Sequence, residues 1–196
     1  LLKTCLVASA LILVGQPGIS GKSPYQLIYT AEGTAEDVDT ELSQARTVLQ
    51  KDGAREIFQV EQPSGSEAWA AWLHAATDLL TRNPSSGFLA RLGVPPKLIP
   101  VLLSKNTVHL EGFIADLASG FLYIQDMRDI QTFKEQALLH AGYLLVLSGP
   151  NQPEGQKVIS GDEQWSYRPP AMDLMTALKR QWDRSGLFNP EAFVIE

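Results

Sequence analysis

Residues 107–125 read TVHLEGFIADLASGFLYIQ. Two apolar runs, Thr107 to Leu117 and Phe121 to Gln125, flank Ala118-Ser119-Gly120, and such runs on either side of a glycine-bearing turn predict a β-hairpin. A helix is predicted next, from Asp129 to Ala141 with Gly142 ending it, followed by an apolar strand from Tyr143 to Leu147. Upstream, a strand from Phe88 to Val94 enters Pro95-Pro96. This pair opens a short helix to about Lys105, because a first helical turn has no use for the N–H that proline lacks. The second half therefore reads strand, helix, hairpin, helix, strand.

The first half has a related pattern. Tyr25 to Ala31 (YQLIYTA) has the β-branched and aromatic content of a strand. Thr34 is placed as an N-cap with Asp37 three residues on, and Val38, Leu42, Ala45, Val48 and Leu49 recur at helical spacing up to a glycine cap at Gly53. Glu56 to Val60 reads as a second strand, and Glu67 to Leu80, carrying Trp69 and Trp72, as a second helix. Strands separated by helices, with a hairpin in the second half, predict an α+β fold of ferredoxin-like units, an antiparallel sheet covered by helices. That domain spans 25–150. Residues 151–170, rich in Gly, Pro, Asn, Gln and Ser, form a long loop, and 171–196 hold a last helix, Ala171 to Trp182, and an apolar tail.

Composition narrows the function classes. The 196 residues are 44% hydrophobic and 19% charged, an ordinary globular balance. With 16 basic against 22 acidic residues the formal charge is -6, so the chain lacks the electrostatic footprint of a nucleic-acid binder. Cys5 is the single cysteine, which excludes an internal disulfide and a thiolate-rich zinc site and suits a reducing, cytoplasmic setting. The most apolar stretch, Cys5 to Gly15, is too short to span a bilayer. The chain starts Leu1-Leu2 without a Met, so the stretch is read as internal rather than as a secretion signal.

Catalytic motifs are missing. His74, His109 and His140 form no local ligand pair, and no metal site is expected. There is no G-x-S-x-G elbow, Walker loop or G-x-G-x-x-G. The acids Glu32, Glu36, Asp37, Asp39 and Glu41 gather where a helix begins, which the dipole accounts for. Trp69 and Trp72 are read as core. Trp165, with Tyr167 and Arg168 in the polar loop, is a candidate to cover a ligand or partner. Arg91, in the strand entering Pro95-Pro96, is the candidate substrate-binding residue, able to meet a carboxylate through a bidentate pair. A surface ion pair is the plainer alternative.

The most specific segment runs from Leu174 to Pro190, LMTALKRQWDRSGLFNP. It resembles the closing signature of FAD-linked oxidases of the vanillyl-alcohol-oxidase type, a helix L-x-x-x-[IL]-K-x-x-[FW]-D continuing to G-[IL]-[LF]-N-P. YQLIYTAEGTAEDVDTELSQARTVLQKDGA, RLGVPPKLIPVLL and HAGYLLVLSGP fit that family in the same order, and among its branches the chain is similar to the FAD-binding subunit of glycolate oxidase. The resemblance implies the C-terminal cap or substrate region of a flavoenzyme. Residues 1–24 would be a linker from an N-terminal flavin domain outside this chain, which binds most of the FAD. The substrate would be a small 2-hydroxy acid such as glycolate, oxidised by hydride transfer to flavin. Partners would be other subunits of a glycolate-oxidase-like complex, cytoplasmic and peripheral to the membrane through them. No nucleic acid and no transmembrane segment are expected.

In the family the tail returns to the flavin domain, which makes Asn189 and Pro190 the cofactor-side candidates and Leu187, Phe188, Val194 and Ile195 the docking residues. Three departures accompany the match. Catalytic relatives carry a G-H-x-G-D-G-N-x-H metal-binding run where this chain has Ile114 to Tyr123, without either histidine. Glu191 and Ala192 replace the usual glycine and basic residue, and Ser148 stands where many relatives have an acid. The catalytic residues are left unassigned. The reading from another class is a stand-alone ferredoxin-like module for ligand binding or subunit assembly, without catalysis.

Overall fold

The computed structural model describes residues 8–15, 25–59, 87–106, 110, 112–149 and 171–188. In chain order they form β1 (Ala8–Gly15), β2 (Tyr25–Ala31), α1 (Ala35–Lys51), β3 (Phe88–Gly93), a 3-10 turn (Pro96–Leu98), α2 (Ile99–Asn106), β4 (Gly112–Asp116), β5 (Phe121–Met127), α3 (Ile130–Leu139), β6 (Tyr143–Ser148) and α4 (Met172–Trp182). The six strands make one antiparallel sheet in the order β2-β1-β4-β5-β3-β6. This is the α+β architecture expected from the sequence.

The topology of residues 88–148 follows from the pairings. Strand β5 is antiparallel to both β3 and β4, so β3 and β4 run parallel with β5 inserted between them. By the same logic β5 and β6 run parallel around β3. Two strand-helix-strand crossovers, each opened to admit a third strand, are the split arrangement of a ferredoxin-like unit. The β1–β2 hairpin extends this unit through β4, with Leu13 opposite Ala115 and Val14 opposite Ile114.

Strand β1 corrects the expectation that residues 1–24 are all linker. Residues 8–15 pair on both sides, with β2 and with β4. A strand covered on both faces is apolar throughout instead of alternating, so the run up to Gly15 lacks the period that marks a half-buried strand. A second correction concerns Glu56 to Val60. Residues 56–59 are irregular and Phe58 is 83% exposed, so strand-forming residues there find no sheet to pack on. The helix expected at Glu67 to Leu80 and the loop 151–170 lie outside the described residues.

Helix α1 begins and ends where its caps dictate. The Thr34 hydroxyl accepts from the Asp37 N–H, and Glu36 and Asp37 occupy the positive end of the helix dipole. At the other end Gly53 adopts φ +87, its N–H donates to the Gln50 carbonyl and that of Ala54 to the Leu49 carbonyl, a Schellman closure. Helix α3 starts at the Asp129 cap, whose carboxylate accepts from the Thr132 N–H. It closes the same way, but Ala141 takes the left-handed position at φ +57 and Gly142 follows it, its N–H on the Ala137 carbonyl.

Helices α2 and α3 pack on one face of the sheet. Ile99, Leu102 and Leu103 of α2 and Phe133 and Ala137 of α3 share a core with Ala90, Leu92, Phe113, Ala115, Leu122, Ile124, Leu144 and Val146. Helix α1 lies on the same side, where Glu41 accepts a hydrogen bond from the Tyr29 hydroxyl. Glu41 is buried, so it does not belong with the solvated acids at the start of the helix. Because side chains alternate along a strand, Ile12, Val14, Ile28, Ile114 and Tyr123 cluster on the opposite face.

Candidate functional site

Arg91 lies on that opposite face, flanked in register by Tyr123 of β5 and Leu145 of β6. Two residues on, Gly93 sits between Phe121 and Tyr143. A Cβ at Gly93 would lie 2.4 Å from the Tyr143 ring, so the missing side chain is what lets that ring fold across β3. The Arg91 guanidinium carbon is 5.4 Å from the Phe121 ring centre and 5.7 Å from that of Tyr143. Both distances fall within the range of cation–π attraction.

The rings hold the guanidinium but do not satisfy it. Arg91 Nε is buried and has no hydrogen-bond partner, and no carboxylate among the described residues pairs with Arg91. Asp116, which shares this face opposite Phe121, is committed elsewhere. Its carboxylate accepts the N–H groups of Ala118 and Ser119 at 3.0 and 3.1 Å and the Ser119 hydroxyl, closing the β4–β5 turn. A half-buried cation with an unmade hydrogen bond is uncommon in a folded chain, because leaving such a donor unpaired is costly.

The sequence reading singled out Arg91 but missed Phe121, Tyr143 and Gly93. Only strand register brings them around it, since Phe121 and Tyr143 are far from Arg91 along the chain. The other candidates are not gathered there. Asn189, Pro190, Trp165, Tyr167, Arg168, Trp69, Trp72, His74 and His109 lie outside the described residues. His140 caps the C-terminus of α3, its N–H on the Ala137 and Leu138 carbonyls, and Trp182 is 75% exposed. Among the described residues no three His, Cys, Asp or Glu side chains come together as a metal site.

The tail segment contains a second ordered cluster. Asp183, just after α4, accepts the N–H groups of Leu187 and Phe188 at 2.8 and 2.9 Å and pairs with Lys179, which also donates to the Phe188 carbonyl. The hydrogen bond from Lys179 is the main reason its carboxyl is held below the ordinary 3.8; desolvation opposes it and the two backbone donors add to it. A lowered folded value means that the turn's stabilisation is fully present above the ordinary value and is lost as the pH falls through the lower one. Amide resonances of Leu187 and Phe188 should therefore titrate with a midpoint below 3.8, and Asp183→Asn should abolish the transition. A midpoint at or above that value would show that the carboxylate does not organise the turn.

No protein-family model, curated protein or solved structure matches the chain.

Proposed function

We propose that this chain is the cap, or substrate region, of an FAD-dependent 2-hydroxy-acid oxidoreductase similar to the FAD-binding subunit of glycolate oxidase. The observation that carries the reading is Arg91, held between two aromatic rings on the sheet face turned away from α1, α2 and α3, its Nε without a hydrogen-bond partner and its guanidinium without a carboxylate among the described residues. A planar fork of N–H donors matches a carboxylate in two-point geometry. The surrounding aromatic and aliphatic carbon lowers the local dielectric and strengthens that contact. The ferredoxin-like topology and the LMTALKRQWDRSGLFNP segment agree with the role of a cap.

The flavin itself finds no diphosphate cradle among the described residues. The starts of three helices carry acids, Glu36 and Asp37 at α1, Asp129 at α3 and Asp173 at α4, which would repel phosphate. A separate domain would bind it, with Asn189 and Pro190 on the cofactor side of the contact. Held by that domain, the flavin would supply a hydride acceptor for oxidation of the 2-hydroxy acid to a 2-oxo acid. This chain's share is to hold the carboxylate and keep water from the reacting carbon. Reoxidation would fall to partner subunits, in a cytoplasmic complex peripheral to the membrane. Among the described residues no helix is long and apolar enough to cross one.

The test is the full-length protein purified under native conditions. It is expected to keep a flavin absorption band through gel filtration and to lose that band on addition of a 2-hydroxy acid. A colourless protein that takes up no added FAD would overturn the reading and leave a binding or assembly module in its place.

A further inference from the structure

We infer that the Arg91 site takes a 2-hydroxy acid with an apolar side chain in preference to glycolate; this rests on the carboxylate reading above. The polar capacity around Arg91 is small. Among the described residues, the side chains that flank the guanidinium are Phe121, Tyr143, Tyr123 and Leu145, and Gly93 contributes none. The two tyrosines carry one hydroxyl each.

The rest of the wall is carbon, and it is not used up by the fold. Phe121, Tyr143 and Leu145 are each only partly buried. A two-carbon acid seated on the guanidinium carries no group to cover them. An acid with a branched or aromatic side chain removes that surface from water while keeping the same ionic anchor. Each methylene fully buried is worth about fourfold in affinity. An aryl substituent also matches the ring faces, which favour offset or edge-to-face partners.

The experiment is calorimetric titration of the full-length protein, any bound flavin reduced beforehand with dithionite so that no hydride transfer accompanies binding, with sodium glycolate, lactate, 2-hydroxy-4-methylpentanoate and mandelate. Affinity should rise along the series, by about tenfold or more from glycolate to mandelate, since partial burial of several carbons suffices for that. Phe121→Leu, which keeps apolar volume but removes a ring that also holds the guanidinium, should lower the ratio of mandelate to glycolate affinity, whatever the change in glycolate binding itself. A flat or reversed series in a protein that binds glycolate overturns this inference alone, and the series decides it even if the variant does not fold. Failure of every acid to bind overturns the carboxylate reading together with it.

Discussion

Gly120→Ala is expected to destabilise the protein by roughly 3–5 kcal/mol, among the largest effects a single methyl group can have here. Gly120 closes the β4–β5 turn at φ +85, a left-handed conformation that costs an L-residue energy wherever it occurs. The local surroundings add a second penalty. A Cβ at this position would lie 2.1 Å from the carbonyl oxygen of Val94, backbone that cannot swing aside like a side chain. The same contact cannot open cheaply, because the Val94 N–H donates to the Gly120 carbonyl at 2.9 Å and the Gly120 N–H to the Asp116 carbonyl at 3.0 Å. For a chain of this size the cost corresponds to a drop in Tm of about 10 °C. Ser119→Ala, one residue away on the exposed side of the turn, should cost no more than about 1 kcal/mol. Thermal unfolding of both variants checks the pair, and a Gly120→Ala protein that melts with the wild type would mean that the turn is not pinned to Val94.

That turn also shows what local sequence can reveal. Apolar runs around Ala118-Ser119-Gly120 specify a hairpin because the information is contiguous: two strand-forming segments and a residue able to adopt positive φ. The caps at Thr34 and Gly53 are legible for the same reason, each being a side-chain or backbone preference acting within four residues. Strand β1 was less legible, since a run apolar on both faces has the composition of a core strand and of a linker or leader alike. Glu56 to Gln59 erred in the other direction, strand-like in composition but without a neighbour to pair with.

The site follows the same division. Arg91 could be suspected from its place in a strand, but a guanidinium in a strand is as compatible with a surface ion pair as with a ligand. What distinguishes the two is its surroundings, and these are set by register. Gly93 opposite Tyr143 and Phe121 opposite Gly93 are facts of pairing between β3, β5 and β6 that no short window of sequence contains. The bulge in β5 belongs to the same register. Asp126 sits there at φ +55 with its carboxylate on the Gly87 N–H at 2.7 Å, and the pairing shifts between Phe88–Met127 and Ala90–Ile124. A strand that slipped by one residue would turn Arg91 into the core.

Arg91→Ala is the second large expectation, in binding rather than in stability. A charge-assisted hydrogen bond contributes about 1.5–3 kcal/mol. If the proposed function holds, its loss should raise the KM for the acid by about 10- to 100-fold in the assembled protein, with a much smaller change in kcat when the contact is made equally in the ground and transition states. Stability should move little. Removing the side chain forfeits its stacking on Phe121 and Tyr143 but also removes a buried N–H that has no partner, and these two contributions oppose each other. Arg91→Lys keeps the charge but not the planar fork, so it should recover only part of the affinity. An arginine serving only to brace the two rings would give the opposite pattern, a lowered Tm with unchanged KM. Steady-state kinetics and melting curves on the same three proteins therefore separate an anchor for substrate from a support for the sheet, and an unchanged KM in Arg91→Ala removes the carboxylate site from this face.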